Sequence, residues 1–184
     1  MTVVRLVRHG RAAAGWDVDP DPPLDELGRA QAEAVCAELS RLAVGDVVTS
    51  PLRRCRETSA PLSTAWGVQA VIVPAVAEIP SPEGIAMADR VGWLREVMAG
   101  EWSALGPRYT RYRDEVVSTI CALRVDTVVF SHFIAINAVI GAATGDDRMV
   151  IRSLDNCSVT TVEVGADGTV RLVEGGREAD TLIR

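Results

Sequence analysis

Lysine is absent from the chain, so each of its 19 basic residues is an arginine. This absence excludes Schiff-base enzymes and Walker-type phosphate loops, because both chemistries need a lysine amine. The 25 acidic residues give a formal net charge of −6. A chain of that charge is repelled by nucleic acid and by anionic membranes, so we expect neither as a partner.

Cysteine is also scarce. The four cysteines are far apart, no C-x-x-C pair is present, and the chain starts MTVVRLV without a signal-peptide pattern. We therefore expect four buried, reduced thiols in a cytoplasmic protein. An uncharged run covers 127–144, but it contains Ser131, His132 and Asn137. It is typical of a buried strand followed by a helix and not of a membrane span.

A length of 184 residues fits one domain that needs no cofactor for stability. Apolar runs and helical periodicities alternate along it. The predicted strands are 2–7, 46–49, 68–73 and 126–130, and a closing hairpin is predicted at 158–164 and 170–173. The predicted helices are 25–42, 50–65, 85–98, 108–123 and 134–143. This order indicates an α/β fold, a three-layer α/β/α sandwich with a mostly parallel central sheet.

Two details of the helices can be predicted. The first helix has a buried stripe made of Leu27, Ala30, Ala34, Val35 and Leu39, and Asp25 caps it. Ser50-Pro51 fits a cap followed by proline in the first turn of the second helix.

The block 80–123 interrupts the alternation of strands and helices, so we expect a short helical insert over the site.

Ligands of parallel sheets bind beyond the carboxyl ends of the strands. Four groups pass this criterion. Arg8-His9 and His132 lie at the ends of predicted strands, Arg54 lies in the first turns of the helix after the second strand, and Glu78 follows the third. Each has an ordinary alternative, since a lone histidine is more often structural and an isolated carboxylate more often exposed. Arg53 and Arg56 flank Arg54, but helical spacing directs the three side chains apart, so only one or two can reach a common pocket.

Together these groups form a site suited to a phosphate monoester. Arginine donates paired hydrogen bonds to a phosphate dianion, and a neutral imidazole can attack phosphorus. Glu78 lies between apolar residues that can raise its pKa, so it can supply the leaving alcohol with a proton. No metal or other cofactor is required.

At these residues the chain resembles the histidine phosphatase, or phosphoglycerate-mutase-like, superfamily. The matching motifs are L-V-R-H-G at 6–10, Leu24-x-x-x-Gly28-x-x-Gln31-Ala32, Ser50-Pro51-x-x-Arg54-x-x-x-Thr58, Glu78 with Glu83-Gly84, and V-V-F-S-H at 128–132. The resemblance implies that His9 is the phosphorylated nucleophile and Glu78 the general acid that later activates water. It also implies that Arg8, Arg54 and His132 hold the phosphoryl group.

The chain departs from the family pattern at two places. Phe133 follows the second histidine where many relatives have glycine, although its backbone amide can still face phosphate at a helix start. Arg11 and the alanines after it replace the usual residues after Arg-His-Gly. Arg11 is thus a candidate third positive contact to substrate, or a side chain that points to water.

Other readings follow from the same residues. A cysteine-based phosphatase is unlikely, because no cysteine of this chain is followed by an arginine six positions later. The Asp17-Val18-Asp19 segment lies in a proline-rich loop, which fits neither an aspartate-based phosphatase nor a calcium-binding loop. No nucleophile-elbow pattern of a serine hydrolase is present.

Within the resemblance, we expect a hydrolase acting on a small phosphorylated metabolite. A phosphomutase, a protein phosphohistidine phosphatase and a catalytically silent phosphoanion-binding module remain alternatives. Trp93, Trp102, Tyr109 and Tyr112 in the insert could stack on a substrate or form core or homodimer contacts.

Overall fold

The computed structural model describes residues 1–179, so the last five residues of the predicted single unit, 1–184, lie outside it. Its centre is a six-stranded sheet in the order β3-β2-β4-β1-β5-β6. The strands are β1 (Thr2–Arg8), β2 (Asp46–Thr49), β3 (Val71–Ile72), β4 (Thr127–Ser131), β5 (Val159–Val164) and β6 (Val170–Glu174). Strands β3, β2, β4 and β1 pair in parallel. Strand β5 is antiparallel to β1 and to β6, and its pairing with β6 is the predicted hairpin.

Within residues 1–179, five α-helices cover this sheet. They are α1 (Glu26–Leu39), α2 (Arg53–Trp66), α3 (Arg90–Met98), α4 (Pro107–Cys121) and α5 (Phe133–Thr144). Short 3-10 turns lie at Pro74–Val76, Met87–Asp89 and Trp102–Ala104. Helices α1 and α2 contribute to one apolar cluster and α3, α4 and α5 to another, which gives the predicted three layers.

The two clusters lie on opposite faces of the sheet because successive strand residues point to opposite sides. In β4, Val129 joins the cluster under α3, α4 and α5, whereas Val128 and Phe130 join the cluster under α1 and α2. Every residue of β4 is buried. This explains why the strand reads as a continuous apolar run.

The predicted stripe of α1 was wrong on its amino-terminal half. Leu27 is 45% exposed, and Ala30 and Ala34 are exposed as well. The buried positions are Gly28, Ala32, Val35, Cys36 and Leu39, a stripe rotated toward the small residues. The cap was confirmed, since the Asp25 carboxylate accepts the Gly28 N–H at 2.7 Å.

The second helix begins later than predicted. Leu52 stands at its N-cap without a side-chain hydrogen bond, and the Ser50 hydroxyl instead accepts the Leu52 N–H at 3.2 Å within a turn. The strand predicted at 68–73 is reduced to Val71–Ile72, both exposed at the edge of the sheet.

The uncharged run is strand β4 followed by the buried helix α5, as predicted. Within residues 1–179, none of the helices combines the length and the apolar character needed to cross a membrane.

Candidate active site

Strand register brings the two histidines together. In the parallel pair of β1 and β4, Arg8 lies opposite Ser131, so the next residue of each strand is a histidine at the same sheet edge. The His9 N–H donates to the Ser131 carbonyl at 3.0 Å. The two imidazole rings are 5.2 Å apart between centroids and meet edge to face at 61°.

Arg54 lies between these rings. Its Nε donates to His9 Nε2 at 3.1 Å, and its Nη2 is 3.2 Å from His132 Nδ1. Arg54 is buried in the first turn of α2, while Arg53 and Arg56 are exposed. The expectation that helical spacing admits only part of this arginine cluster to the pocket was confirmed.

The hydrogen bonds of His9 define its tautomer. Nδ1 lies 2.8 Å from the Gly10 carbonyl, which can only accept, so Nδ1 carries the proton. Nε2 therefore carries no proton, and its lone pair accepts the hydrogen bond from Arg54 Nε. Burial first, and the guanidinium groups of Arg54 and Arg8 next, hold the pKa of His9 well below its ordinary value. His9 is thus a neutral imidazole whose unprotonated Nε2 accepts a hydrogen bond from Arg54.

The tautomer of His132 follows from the same reasoning. Arg54 can only donate, so His132 Nδ1 is an acceptor and Nε2 carries the proton, which it donates to the Ser50 hydroxyl at 2.8 Å. The Cys55 thiol is 3.3 Å from the same Nε2. Burial and Arg54 lower the pKa of this completely buried ring. Both of its nitrogens are therefore engaged by protein groups.

Arg8 is fixed on the other side of His9. Its Nη1 donates to the Leu154 carbonyl at 2.5 Å, and its guanidinium carbon lies 5.0 Å from the centre of the Phe133 ring. Burial lowers the pKa of Arg8 to about 10. Among the described residues, two buried guanidinium N–H groups of this site have no hydrogen-bond partner, namely Arg8 Nε and Arg54 Nη1. Buried donors of this kind are rare unless an acceptor binds to them.

Glu78 follows the 3-10 turn after β3. Its Oε1 accepts the Ile79 N–H at 3.0 Å. Burial raises the pKa of Glu78, although the Ile79 N–H and the nearby Arg54 and Arg8 act in the opposite direction. A buried carboxyl of this kind can carry a proton at a higher pH than an exposed glutamate.

Except for His132, these side chains line one cavity. Eleven residues line it. Four of them are polar, namely Arg8, His9, Arg54 and Glu78. The other seven are Ala12, Ala14, Trp16, Pro22, Leu94, Phe133 and Ile134. His132 lies behind Arg54 and is not part of the lining.

Arg11 is a second sequence candidate, besides His132, that does not line the cavity. Its Nε lies 2.5 Å from the Asp25 carboxylate, and its side chain is 44% exposed. The partner is the capping residue of α1, so Arg11 supports the start of that helix and points toward solvent. Phe133 does reach the cavity, with its ring as well as through its position at the start of α5.

Sequence reasoning missed the loop 154–158 that supports the strand end. Besides the Leu154 carbonyl, this loop offers Asn156, whose Nδ2 donates to the His9 carbonyl at 2.9 Å. The Cys157 N–H donates to the Arg8 carbonyl at 3.0 Å, with a left-handed backbone (φ 53). An asparagine just before a strand is a weak signal, because asparagine is common in turns.

Two glycines allow the loop after β1 to press against α1. A Cβ on Gly28 would lie 2.1 Å from the Arg11 carbonyl oxygen, and one on Gly10 would lie 2.6 Å from the Gly28 carbonyl oxygen. The Gly10 N–H donates to the Thr58 hydroxyl at 3.0 Å, and that hydroxyl donates to the Arg54 carbonyl. This network fixes His9 relative to Arg54.

A family model named histidine phosphatase superfamily (branch 1) matches residues 4–174. Together with the sheet and the pair of histidines at its edge, this match shows that the chain belongs to the histidine phosphatase superfamily. No curated protein matches the sequence at a significant level.

Solved structures resemble the whole chain. One is a mycobacterial glucosyl-3-phosphoglycerate phosphatase complexed with VO3, 20% identical, with a TM-score of 0.74 over 97% of this chain and 100% of that one. Another is YhfR of Bacillus stearothermophilus, 19% identical, with a TM-score of 0.77 over 97% and 98%. A third is a phosphoserine phosphatase of Entamoeba histolytica with 3-phosphoglyceric acid, 18% identical, with a TM-score of 0.75 over 96% and 98%. At these identities the likeness establishes the fold.

Proposed function

We propose that this protein is a phosphomonoester hydrolase that acts on a small phosphorylated metabolite through a phosphohistidine on His9. The observation that carries the proposal is that the unprotonated His9 shares one cavity with Arg8 and Arg54, each of which has a buried guanidinium N–H group that lacks an acceptor. A phosphoryl group next to His9 would supply acceptors for both.

In the first step the monoester dianion displaces the Arg54 Nε hydrogen bond from His9. Its oxygens accept from Arg8 and Arg54, and the freed Nε2 lone pair attacks phosphorus in line with the ester oxygen. The phosphorus–oxygen bond breaks, and its electron pair leaves with the alcohol oxygen, which takes the proton of Glu78. The Gly10 carbonyl stabilises the positive imidazole through Nδ1–H.

The second step reverses these roles. The Glu78 carboxylate takes a proton from water as the water oxygen attacks phosphorus. The bond between phosphorus and Nε2 breaks, its electron pair returns to the imidazole, and phosphate leaves. Glu78 is then protonated again, and the enzyme is ready for the next cycle.

We further propose that no metal takes part, because arginine charge already covers the reacting phosphoryl group. In the part of the chain from 1 to 179, no three His, Cys, Asp or Glu side chains are grouped as metal ligands. The expected result is that 4-nitrophenyl phosphate is hydrolysed at the same rate before and after dialysis against a chelator. A loss that added Mg²⁺ or Zn²⁺ restores would contradict this part of the proposal.

We expect Glu78→Gln to discriminate between leaving groups. A general acid matters where the departing oxygen needs a proton, so kcat/KM should fall by about 100-fold or more for an alkyl phosphate and much less for 4-nitrophenyl phosphate. For wild type, kcat/KM on the alkyl ester should also decline as pH rises through the pKa of Glu78, which burial raises. That alkaline decline should be absent in the variant.

The parameter kcat/KM is chosen because it reports only the steps up to phosphoryl transfer. Glu83→Gln is a matched control, since Glu83 is 92% exposed and does not line the cavity. Equal losses of kcat/KM on both esters in Glu78→Gln would contradict the assignment of Glu78 as the general acid.

A further inference from the structure

The lining of the cavity has a polar part and an apolar part. All four polar lining side chains belong to the phosphoryl-transfer group described above. The rest of the wall, where the alcohol part of a substrate must lie, consists of alanine, proline, leucine, isoleucine and aromatic side chains. Among the described residues, the cations that line the cavity are Arg8 and Arg54, both used for the phosphoryl group. Arg90, whose buried Nε lacks a hydrogen-bond partner, lies over the Trp16 ring and is not part of the lining.

Trp16 belongs to the apolar part of the wall, and backbone contacts hold the loop that carries it. Ala12 and Leu24 form an antiparallel bridge that closes this loop, and the Ala13 N–H donates to the Pro23 carbonyl at 2.8 Å. The loop is also tied to α2, because the Asp21 carboxylate accepts the Arg53 N–H at 2.6 Å. The Trp16 ring therefore has a supported position before a substrate arrives.

The insert 80–123 contributes to the same apolar wall. Leu94 of α3 lines the cavity and is 3% exposed. The neighbouring Trp93 ring lies 6.5 Å from Trp16 and 5.6 Å from Tyr109, so aromatic contacts connect the loop, α3 and α4. Arg90 lies over the Trp16 ring at 5.8 Å. These contacts stiffen the apolar wall, so little ordering is needed when a ligand binds.

We propose that the leaving group of the substrate is an apolar alcohol, alkyl or aromatic, and that Trp16 and Leu94 determine this specificity. The inference rests on the proposed function, since it describes the second half of the same substrate. A polyhydroxylated or carboxylated alcohol would bury its polar groups against Trp16, Leu94 and Phe133 without hydrogen bonds, which is unfavourable. An apolar alcohol gains from the same surface.

The first test compares n-alkyl phosphates from ethyl to hexyl, because their leaving alcohols have nearly the same acidity. We expect kcat/KM to rise about fourfold for each methylene that is buried. Propyl phosphate should also exceed glycerol 3-phosphate and 3-phosphoglycerate, which have the same number of carbons. The more acidic alcohol of glycerol would favour the opposite order, so the result cannot come from leaving-group chemistry.

The second test uses variants of the wall. Trp16→Ala and Leu94→Ala should each reduce the hexyl-to-ethyl ratio of kcat/KM, since less apolar surface remains to cover the longer chain. Trp66→Ala is the control, because Trp66 packs against the other apolar cluster and does not line the cavity. It should leave the ratio unchanged. Circular dichroism and the melting temperature establish that each variant is folded.

The outcomes separate the two proposals. Turnover with a flat alkyl series, a preference for 3-phosphoglycerate, or a ratio that Trp16→Ala and Leu94→Ala leave unaltered would overturn the apolar specificity and leave the hydrolase proposal intact. Absence of turnover on every monoester, 4-nitrophenyl phosphate included, would overturn the hydrolase proposal and this inference with it.

Discussion

The His9→Ala variant should lose hydrolysis of 4-nitrophenyl phosphate by about 10⁴-fold or more, the scale typical of removing a nucleophile. The physical reason is that only His9 offers an unprotonated ring nitrogen to the cavity. The nitrogen is Nε2, which the Nδ1 hydrogen bond to Gly10 leaves without a proton. Steady-state release of nitrophenol measures the loss.

Anion binding provides the control for this variant. Arg8 and Arg54 remain in place in His9→Ala, so phosphate should still raise its melting temperature. Retained binding with lost turnover assigns a chemical role to His9. Turnover near the wild-type level would reject His9 as the nucleophile and direct attention to another group, such as the Ser50 hydroxyl.

The Arg54→Ala variant should lose about 10³-fold in kcat/KM, because a single guanidinium contacts both imidazoles and offers an N–H to the phosphoryl group. Arg54→Lys should recover only part of the loss, since an ammonium group cannot reproduce the planar fork. Kinetics on 4-nitrophenyl phosphate give both values.

Two neighbours on the same helix turn are matched controls. Arg53→Ala and Arg56→Ala remove the same charge from exposed positions and should change kcat/KM by less than about twofold, since surface charges are weakly coupled to the site. Added guanidinium at low concentration should partly restore Arg54→Ala. Equal losses in all three variants would mean that the general charge of α2, and not the fork of Arg54, supports catalysis.

Much of the site could be predicted because it depends on strand ends. Parallel pairing places residues after β1, β2, β3 and β4 at one edge of the sheet, and the alternation of the sequence implies that pairing. His9, Arg54 and His132 meet there for this reason. The raised pKa of Glu78 was also expected from its apolar neighbours, and burial is its main cause.

Other features depend on contacts that no local pattern specifies. The buried stripe of α1 turns toward Gly28 and Ala32 because the loop after β1 packs against its first turn, so Leu27 is left exposed. Hydrophobicity alone favours Leu27 over glycine and therefore selects the wrong face. Strand β3 pairs with β2 over two residues only, at the edge of the sheet.

The protonation of the imidazoles also needs three-dimensional information. The Ser50 hydroxyl accepts from His132 because a turn places it there. The Leu154 carbonyl accepts from Arg8 because a loop far along the chain returns to the strand end. The same holds for Arg11, whose role depends on Asp25, 14 residues later. A charge adjacent to a catalytic motif in sequence can still be directed away from it.

The central claim is that the phosphoryl group is transferred to His9, and trapping that intermediate tests it most directly. In Glu78→Gln, 4-nitrophenyl phosphate still has a good leaving group, whereas water lacks its general base. Mixing this variant with ³²P-labelled 4-nitrophenyl phosphate and quenching in alkali should give a stoichiometric burst of nitrophenol. The label should lie on the peptide that contains His9 and be released by acid. An unlabelled protein, or acid-stable label on another residue, would contradict the account.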